Sequence, residues 1–405
     1  MLKISQKVIS PEAARELILK EQGLVNVFPV KGKKGALSII QKLGYLQIDT
    51  LNVIARSHHH TLWSRLPDYE ETFLNELLID KYVFEYWSHA ASYLPMKDYR
   101  FSLPLKKLYA DGKSHWFKKD KKMNAYVLDK IKAEGPLQSK DFEFKRNSPG
   151  NWYNWKPAKQ ALEQLFMEGK LMVAQRQNFQ KVYDLTERII PHSTNISYPT
   201  KSELATHFIR RAIQAYGIVN ELEITYLRKG IKDVIAKETK KMLKEGELIN
   251  VTIEKNKKNY ITTPCHLQEI ELSNKSVFTD KLTKNIYFLS PFDNAVIQRK
   301  RLNSLFGFDF AIECYLPESK RQYGYWCLPI LYNSQFVGRI DTKADRASKT
   351  FQIKSIHFEE KFETDDEFNE VFIKKMKAFA AFNSCDKISI QKAGKVWKKQ
   401  ILSKL

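Results

Sequence analysis

Residues 1–66 combine helical and strand patterns of apolar residues. Ser10 is followed by proline and glutamate, which predicts an N-cap, a first helical position and an acidic first turn. A second helix is predicted over Ala36–Leu43, and the glycine after it predicts a C-cap. Strands are predicted at Gln47–Asp49 and near His59–Trp63. Two helices followed by a strand pair predict a winged helix in this part of the chain.

The same order of elements recurs twice, although the three units share no close sequence identity. The second unit, residues 123–195, has predicted helices over 123–133 and from 152, and predicted strands over 170–174 and 181–185 around a loop at 175–180. The third unit, residues 200–264, has predicted helices over 203–216, 218–228 and 231–245, and predicted strands over 248–253 and 260–262 with a basic tip at 254–259. The repeat lies in the order of elements, which is a weaker signal than a repeated sequence.

The remaining segments have a different character. Residues 67–122 predict a connector that is mostly helical from Tyr69 to Leu108 and ends in a charged loop over 111–122. Residues 265–405 predict a β-rich domain with strands at 286–290, 310–315, 325–331, 336–341 and 350–357 and a closing helix over 368–383. The predicted fold is therefore α+β, with three tandem winged helices followed by a C-terminal antiparallel sheet.

The charge of the chain points to a polyanionic partner. Lys and Arg number 67 against 46 Asp and Glu among 405 residues, which gives a net charge of +21. Nucleic acid is the commonest polyanion for such a protein, and an anionic membrane surface is the alternative. The sequence contains no apolar run long enough to span a bilayer and no signal-peptide pattern at its start. We expect a cytoplasmic, nucleoid-associated bacterial protein that acts as a monomer on double-stranded DNA, without a membrane.

The sequence gives no support for a metal or a cofactor. Its 4 cysteines are scattered without C-x-x-C spacing, which argues against a zinc site, an iron–sulfur cluster and a disulfide framework. Nucleotide-binding glycine loops and a G-x-S-x-G elbow are absent as well. We therefore predict no metal site and no cofactor.

Basic residues and histidines supply the candidate DNA contacts. His58 and His60 share a face if they lie on a strand, and without a carboxylate or cysteine partner at the right spacing they favour stacking or a structural role over metal binding. For any one basic residue, a solvated surface charge is the commoner alternative. The basic candidates in the second unit and the C-terminal domain are Lys156, Lys159, Arg176, Lys181, Arg299, Arg301 and Arg339.

Gln47 and Asp49 are the candidate catalytic residues. On a strand they point to the same face, about 6.5–7 Å apart. An amide can hold a water or a sugar hydroxyl, and a carboxylate can take a proton or face a developing positive charge. A solvated strand face is the more common explanation for such a pair, so the pattern alone does not decide the function.

Several short segments carry a further signal, namely Leu46–Thr50, Ala55–Ser57, Ser64–Leu66, Glu85–Ala90, Trp155–Pro157, Asn178–Thr186, Leu289–Asp293, Lys320–Tyr325 and Val337–Asp341. In this order along the chain they resemble the winged-helix DNA glycosylases of the AlkZ/YcaQ type, in particular the YcaQ branch. The resemblance implies a monofunctional glycosylase in which water is the nucleophile. It implies that Gln47 and Asp49 are the catalytic positions, and that Asp at the second position marks the branch that unhooks interstrand crosslinks. The implied substrates are bulky N7- or N3-alkylated purines.

Two other functions remain open on the sequence. A non-catalytic tandem winged-helix regulator explains the charge and the predicted wings but gives Gln47 and Asp49 no task. An RNA-binding protein also explains the charge, although the chain has no RNP-type aromatic motif to support it.

Overall fold

The structure of the chain is a computed structural model. It describes residues 7–25, 29–112, 119–142, 157–275, 285–394, 397–398 and 401. Lys156 and the predicted start of a helix at residue 152 lie outside these ranges.

The N-terminal segment contains the predicted pair of helices. Ser10 caps the first one, since its hydroxyl accepts a hydrogen bond from the Ala13 backbone N–H at 3.1 Å. Gly44 ends the second with a φ of 78°, a conformation that favours glycine. The elements are β1 (Lys7–Ile9), α1 (Pro11–Glu21), α2 (Gly32–Leu43), β2 (Leu46–Gln47) and α3 (Ser57–Arg65).

The strand predicted at His59–Trp63 is wrong, because these residues belong to α3. Nearly every residue of this helix is buried, so it shows no polar face. A helix buried on all sides has no amphipathic period for the sequence to reveal.

The connector contains a hairpin that the helical prediction missed. Its elements are α4 (Glu71–Ile79), β3 (Val83–Trp87), β4 (Ala91–Pro95), a 3₁₀ helix (Met96–Ser102) and α5 (Leu103–Ala110). β4 is the central strand of a three-stranded antiparallel sheet in the order β2-β4-β3. Leu46 pairs with Tyr93 and Gln47 with Ser92, so this hairpin holds the strand that carries Gln47.

The second predicted unit has the expected order of helices and hairpin. Its turn is tighter than expected, because Asn178 and Phe179 alone join the two strands, with φ angles of 47° and 66°. Left-handed conformations at both positions are typical of a two-residue hairpin turn. The elements are α6 (Lys121–Glu134), a 3₁₀ turn (Ser139–Asp141), α7 (Pro157–Met167), β5 (Leu171–Gln177), β6 (Gln180–Leu185) and α8 (Thr186–Ile189).

The third predicted unit is joined to the start of the described chain. β1 pairs in parallel with β7, so the sheet has the order β1-β7-β8. The helix predicted over 218–228 is reduced to one turn, capped by Asn220. The elements are α9 (Lys201–Tyr216), α10 (Glu221–Ile224), α11 (Lys232–Lys244), β7 (Ile249–Ile253) and β8 (Asn259–Thr262).

The C-terminal part forms a five-stranded sheet covered by the predicted closing helix. The sheet has the order β13-β12-β11-β10-β9, and only the β12–β13 pair is parallel. The strand predicted at 310–315 is wrong: Phe310 is buried in a loop, where its ring contacts Phe308. The elements are α12 (Pro264–Lys275), β9 (Ile286–Phe288), α13 (Asn294–Ile297), α14 (Arg299–Phe306), β10 (Cys327–Tyr332), β11 (Gln335–Asp345), β12 (Thr350–Phe358), α15 (Asp366–Phe382) and β13 (Lys387–Lys392).

A buried ion pair joins α3 to the C-terminal domain. Arg65 Nη1 and Nη2 donate to the two carboxylate oxygens of Asp293 at 2.7 and 2.9 Å, and neither side chain is exposed. Arg65 Nε also donates to the backbone carbonyl of Gln22, just after α1. One guanidinium therefore connects three parts of the chain that are far apart in sequence.

We expect Asp293→Asn to lower the free energy of unfolding by about 3–5 kcal/mol, because it leaves the Arg65 charge buried without a counterion. The amide oxygen can still cap α13, so the loss reports on the charge pair. Urea denaturation followed by circular dichroism measures it.

The matched control is Glu247→Gln. Glu247 forms an exposed ion pair with Arg210, in which Oε2 lies 2.8 Å from Nη2. That pair should contribute about 0–1 kcal/mol. Similar losses in the two variants would contradict a special role for the buried pair.

Candidate active site

Gln47 and Asp49 lie at the end of β2, where the strand leaves its sheet. The Ile48 backbone N–H donates to the Ala91 carbonyl at 2.8 Å, and the chain then turns towards α3. The two candidate side chains therefore have different surroundings: Gln47 contacts the β3–β4 loop, and Asp49 contacts the start of α3. The strand predicted over Gln47–Asp49 is wrong beyond Gln47, because β2 ends there and Asp49 lies outside it.

Asp49 is a nearly buried carboxylate, with 8% of its surface exposed. The Ser57 hydroxyl donates to its Oδ2 at 3.4 Å, and Ser290 donates in turn to the Ser57 hydroxyl at 2.7 Å. The Asp49 backbone N–H donates to His58 Nδ1 at 3.5 Å. The carboxylate is thus positioned by α3 and, through Ser290, by the C-terminal domain.

Burial raises the pKa of Asp49 above its ordinary value, and hydrogen bonds from Leu51, Thr50 and Ser57 oppose this shift. A carboxylate with a raised pKa is a stronger base than an exposed one. This makes Asp49 suited to accept a proton from a water molecule.

Gln47 is oriented by His89, which sequence reasoning did not single out. His89 Nε2 lies 3.0 Å from Gln47 Oε1. Burial, together with the nearby charges of Arg228 and Arg211, lowers the pKa of His89 to about 4, so the ring is neutral at pH 7. A neutral His89 protonated on Nε2 donates to the Gln47 carbonyl oxygen. The amide nitrogen of Gln47 then remains as the donor available to a ligand.

The ring of His89 is held by aromatic neighbours on two sides. Tyr45 and Tyr226 meet it edge-on, with ring centroids 4.9 and 5.6 Å away. His89 reaches Gln47 because β2 pairs with β4. This pairing joins segments more than forty residues apart, and no local pattern in the sequence reveals it.

The tip of the second unit's hairpin packs against the same region. The Phe179 ring lies between two guanidinium groups, 3.9 Å from that of Arg56 and 4.4 Å from that of Arg176. It also stacks on His58 with an interplanar angle of 9°. Arg176 is anchored to Glu85, with Nη2 donating to Oε2 at 2.8 Å. The tip of the hairpin therefore packs against the start of α3, and His58 lies between Phe179 and the Asp49 backbone.

Comparison with known proteins identifies the family of this chain. Residues 40–381 match the family described as DNA glycosylase AlkZ-like. The chain belongs to the AlkZ-like DNA glycosylases. Among solved structures, the DNA glycosylase AlkZ of Streptomyces sahachiroi matches with a TM-score of 0.60 and 13% sequence identity, over 95% of this chain and 99% of that one. The predicted family is therefore confirmed, and the chain is a DNA glycosylase with a mixed α+β fold.

Among the described residues of this AlkZ-like glycosylase, no helix is both long and apolar enough to cross a membrane. In the same residues, no group of three or more His, Cys, Asp and Glu side chains is placed to hold a metal ion.

The DNA contacts predicted for His58 and His60 do not agree with their burial in the AlkZ-like fold. His58 is 1% exposed, and His60 is fully buried with Nε2 2.7 Å from the Phe288 carbonyl oxygen. Both were assigned to a strand face, whereas α3 turns them into the core. Their observed surroundings agree with the structural role left open in the sequence analysis.

Most of the basic candidates have partners inside this glycosylase. Arg301 and Arg339 are 5% and 4% exposed, which is incompatible with their predicted place on a basic surface. They pair with Glu223 and Glu359. The other candidates are Arg176, paired with Glu85; Lys181, paired with Glu163; Arg299, which donates to the Val296 and Pro291 carbonyls; and Lys159, exposed on α7.

The raised pKa of Asp49 predicts a pH-dependent effect on stability. Burial favours the neutral form, so Asp49 contributes stability below its ordinary pKa of 3.8, and this contribution is lost as the pH rises through its raised folded-state pKa. Asp49→Asn stays neutral. It should therefore unfold with a higher free energy than the unmodified protein at pH 7, by about 1.4 kcal/mol for each unit of raised pKa.

The measurement is the urea midpoint of both proteins at pH 4, 5.5 and 7. The advantage of Asp49→Asn should shrink towards pH 4, and Asp129→Asn, on an exposed face of α6, should show none. An advantage that does not change with pH would contradict the raised pKa.

Proposed function

We propose that this DNA glycosylase is monofunctional and hydrolyses the N-glycosidic bond of damaged purines at Gln47 and Asp49. The observation that carries this proposal is the nearly buried Asp49 carboxylate, which has a raised pKa and accepts a hydrogen bond from Ser57. Gln47, fixed by His89, lies two residues away along the same chain segment. An oriented amide and a basic carboxylate are the groups that activation of a water molecule requires.

At C1′, the proposed reaction breaks the bond to the purine nitrogen and forms a bond to the water oxygen. A purine alkylated at N7 or N3 is positively charged, so it leaves with the electron pair of the glycosidic bond without needing a strong acid. The Asp49 carboxylate faces the oxocarbenium-like sugar and takes a proton from water as the water oxygen bonds to C1′. The products are the free base and an abasic site.

The hydrogen bond from His89 narrows the role of Gln47. Its carbonyl oxygen is engaged, so the amide nitrogen is the group that faces the substrate. It can donate to the oxygen of the attacking water or to a phosphate oxygen. The basicity in this proposal comes from Asp49 alone.

The position of Lys106 agrees with water as the nucleophile. Burial makes the amine of this lysine less basic, but it also encloses it. The pKa of Lys106 is lowered by burial, but the residue is 4% exposed. Its Nζ lies over the rings of Tyr99 and Tyr86, at 3.8 and 4.8 Å from their centroids. An amine enclosed in this way cannot reach a sugar to form a Schiff base.

The proposed substrates are bulky alkylated purines and interstrand crosslinks in duplex DNA. The aspartate at position 49 supports these substrates, because the resemblance implies that Asp at the second catalytic position marks the branch that unhooks crosslinks. Thr50, next to Asp49, is exposed and Gln47 is half-buried, so the catalytic segment lies near the surface. A site near the surface suits a base that remains tethered to the opposite strand.

We further propose that residues 121–189 and 201–262 act as winged helices on this duplex. Each has helices followed by an antiparallel hairpin, which is the order of a winged helix. The described part of residues 1–66 lacks the predicted strand pair, because β2 pairs with β4 of the connector and the second predicted strand is the helix α3. The tandem arrangement therefore consists of these two units, and we expect the protein to act as a monomer.

Asp49→Asn should lose about 10²- to 10⁴-fold in single-turnover base release, the range typical of a positioned acid–base group. The assay uses a duplex with one N7-alkylguanine or one crosslink and alkaline cleavage of the resulting abasic sites. DNA affinity, measured by fluorescence anisotropy, should stay within a few-fold.

Asp129→Asn is the matched control for the loss of one carboxylate charge. Strand cleavage by Asp49→Asn at the unmodified rate would place the catalytic group elsewhere. A parallel loss of binding and base release would assign Asp49 to DNA binding instead.

His89→Phe should lower single-turnover base release roughly tenfold, the effect of one lost hydrogen bond. The phenyl ring keeps the contacts with Tyr45 and Tyr226 but cannot donate to Gln47. Because His89 acts through Gln47, the double variant His89→Phe/Gln47→Ala should be no slower than Gln47→Ala alone. Additive losses would show that His89 acts independently of Gln47.

A further inference from the structure

A cleft of about 360 Å³ lies between the connector and the third unit. Its walls carry the aromatic side chains of Trp87, Phe101 and Phe208. Arg211 and Arg228 line the same cleft. Mostly apolar walls with a few polar groups are typical of a small-molecule site. None of these residues belongs to the catalytic pair.

The two arginines of the cleft repel each other. Burial and then the charge of Arg211 lower the pKa of Arg228 to about 9. Asp98, which also lines the cleft, is the carboxylate that acts on Arg211, and burial raises the pKa of Asp98 itself. Two guanidinium groups beside one carboxylate leave an excess of positive charge, which costs stability unless an anion binds.

The hydrogen-bonding capacity of the cleft is incompletely used. Among the described residues, Arg211 Nη2 and His207 Nε2 are buried without a hydrogen-bond partner. Arg228 donates to the Ser88 hydroxyl at 3.0 Å, and its guanidinium lies 4.2 Å from the centroid of the Phe208 ring. An unpaired buried polar atom in a native protein calls for an explanation, and a bound ligand is one such explanation.

The cleft is adjacent to the catalytic segment. Ser88, which accepts from Arg228, is the neighbour of His89, and His89 holds Gln47. Arg228 and Arg211 also line a smaller cavity whose wall includes His89 and Tyr45. A ligand in the cleft would therefore lie next to the loop that carries His89, the side chain that contacts Gln47.

We propose that this cleft is a nucleotide-binding site. A phosphate binds Arg211 and Arg228, and the base packs against the aromatic wall that contains Trp87 and Phe101. Guanidinium groups bind phosphate through charge-assisted hydrogen bonds, and aromatic side chains stack on any base.

The choice of a nucleotide as the ligand rests on the proposed function, since a glycosylase acts on nucleotides. The phosphate and base can come from a free mononucleotide or from a DNA strand next to the site of base removal. Both sources share the same recognition chemistry.

Isothermal titration calorimetry with guanosine 5′-monophosphate tests the site on the full-length protein. The nucleotide should bind, and guanosine, which lacks the phosphate, should bind roughly 10- to 100-fold more weakly. Arg228→Gln and Arg211→Gln should weaken nucleotide binding to the same extent.

Arg210→Gln is the matched control, because this exposed arginine precedes Arg211 on α9 and pairs with Glu247. Equal affinity of the unmodified protein for guanosine and its monophosphate would overturn the proposal without any variant. Equal affinity of all three arginine variants for the nucleotide would overturn it too.

A duplex with a tetrahydrofuran abasic analogue separates the two sources. If Arg228→Gln weakens binding of this duplex and the mononucleotide competes with it, the cleft holds a nucleotide of the strand. If the mononucleotide binds but neither effect appears, the cleft serves a free nucleotide.

Base release by the same proteins distinguishes this inference from the proposed function. Base release without nucleotide binding would overturn only the proposal that the cleft binds a nucleotide. Nucleotide binding without base release would overturn the proposed reaction alone.

Discussion

The buried contact between Arg65 and Asp293 is the constraint on which the arrangement of the active site depends. A guanidinium removed from water is tolerated only with a counterion and further acceptors, and Arg65 finds them in Asp293 and in the Gln22 carbonyl. The contact fixes α3 against the C-terminal domain. The first residue of α3, Ser57, is thereby held between Asp49 and Ser290. The environment of the Asp49 carboxylate therefore depends on an ion pair that has no part in the proposed reaction.

Burial has opposite effects on the two halves of the site. It raises the pKa of Asp49, which makes the carboxylate a better base, and it lowers the pKa of His89, which keeps the imidazole neutral and able to direct the Gln47 amide. Burial thus gives the proposed site both a proton acceptor and a fixed donor. Neither group needs a metal or a cofactor for these roles.

The sequence revealed what depends on near neighbours and missed what depends on distant pairing. The capped helix after Ser10 and the hairpin of the second unit follow from local patterns, and both are present. The family was recognised from short segments, and the match over residues 40–381 confirms it. His89 was missed because its contact with Gln47 requires the pairing of β2 with β4. The histidines of α3 were assigned to a strand because a helix buried on all sides shows no period. Arg301 and Arg339 looked like surface charges because their partners, Glu223 and Glu359, are not near enough in sequence to form an evident local pair.

The parallel pairing of β1 with β7 affects how the chain can fold during synthesis. Lys7–Ile9 leave the ribosome before their partners at Val251–Ile253, which follow more than two hundred residues later. Contacts of such long separation form slowly because a large loop must close. The edge of β1 therefore has no native partner until more than two hundred further residues have been made, and unpaired edges favour aggregation. In this protein, protection of the first strand by a chaperone, or a pause before the third unit, would change the yield of folded enzyme without changing any residue of the active site.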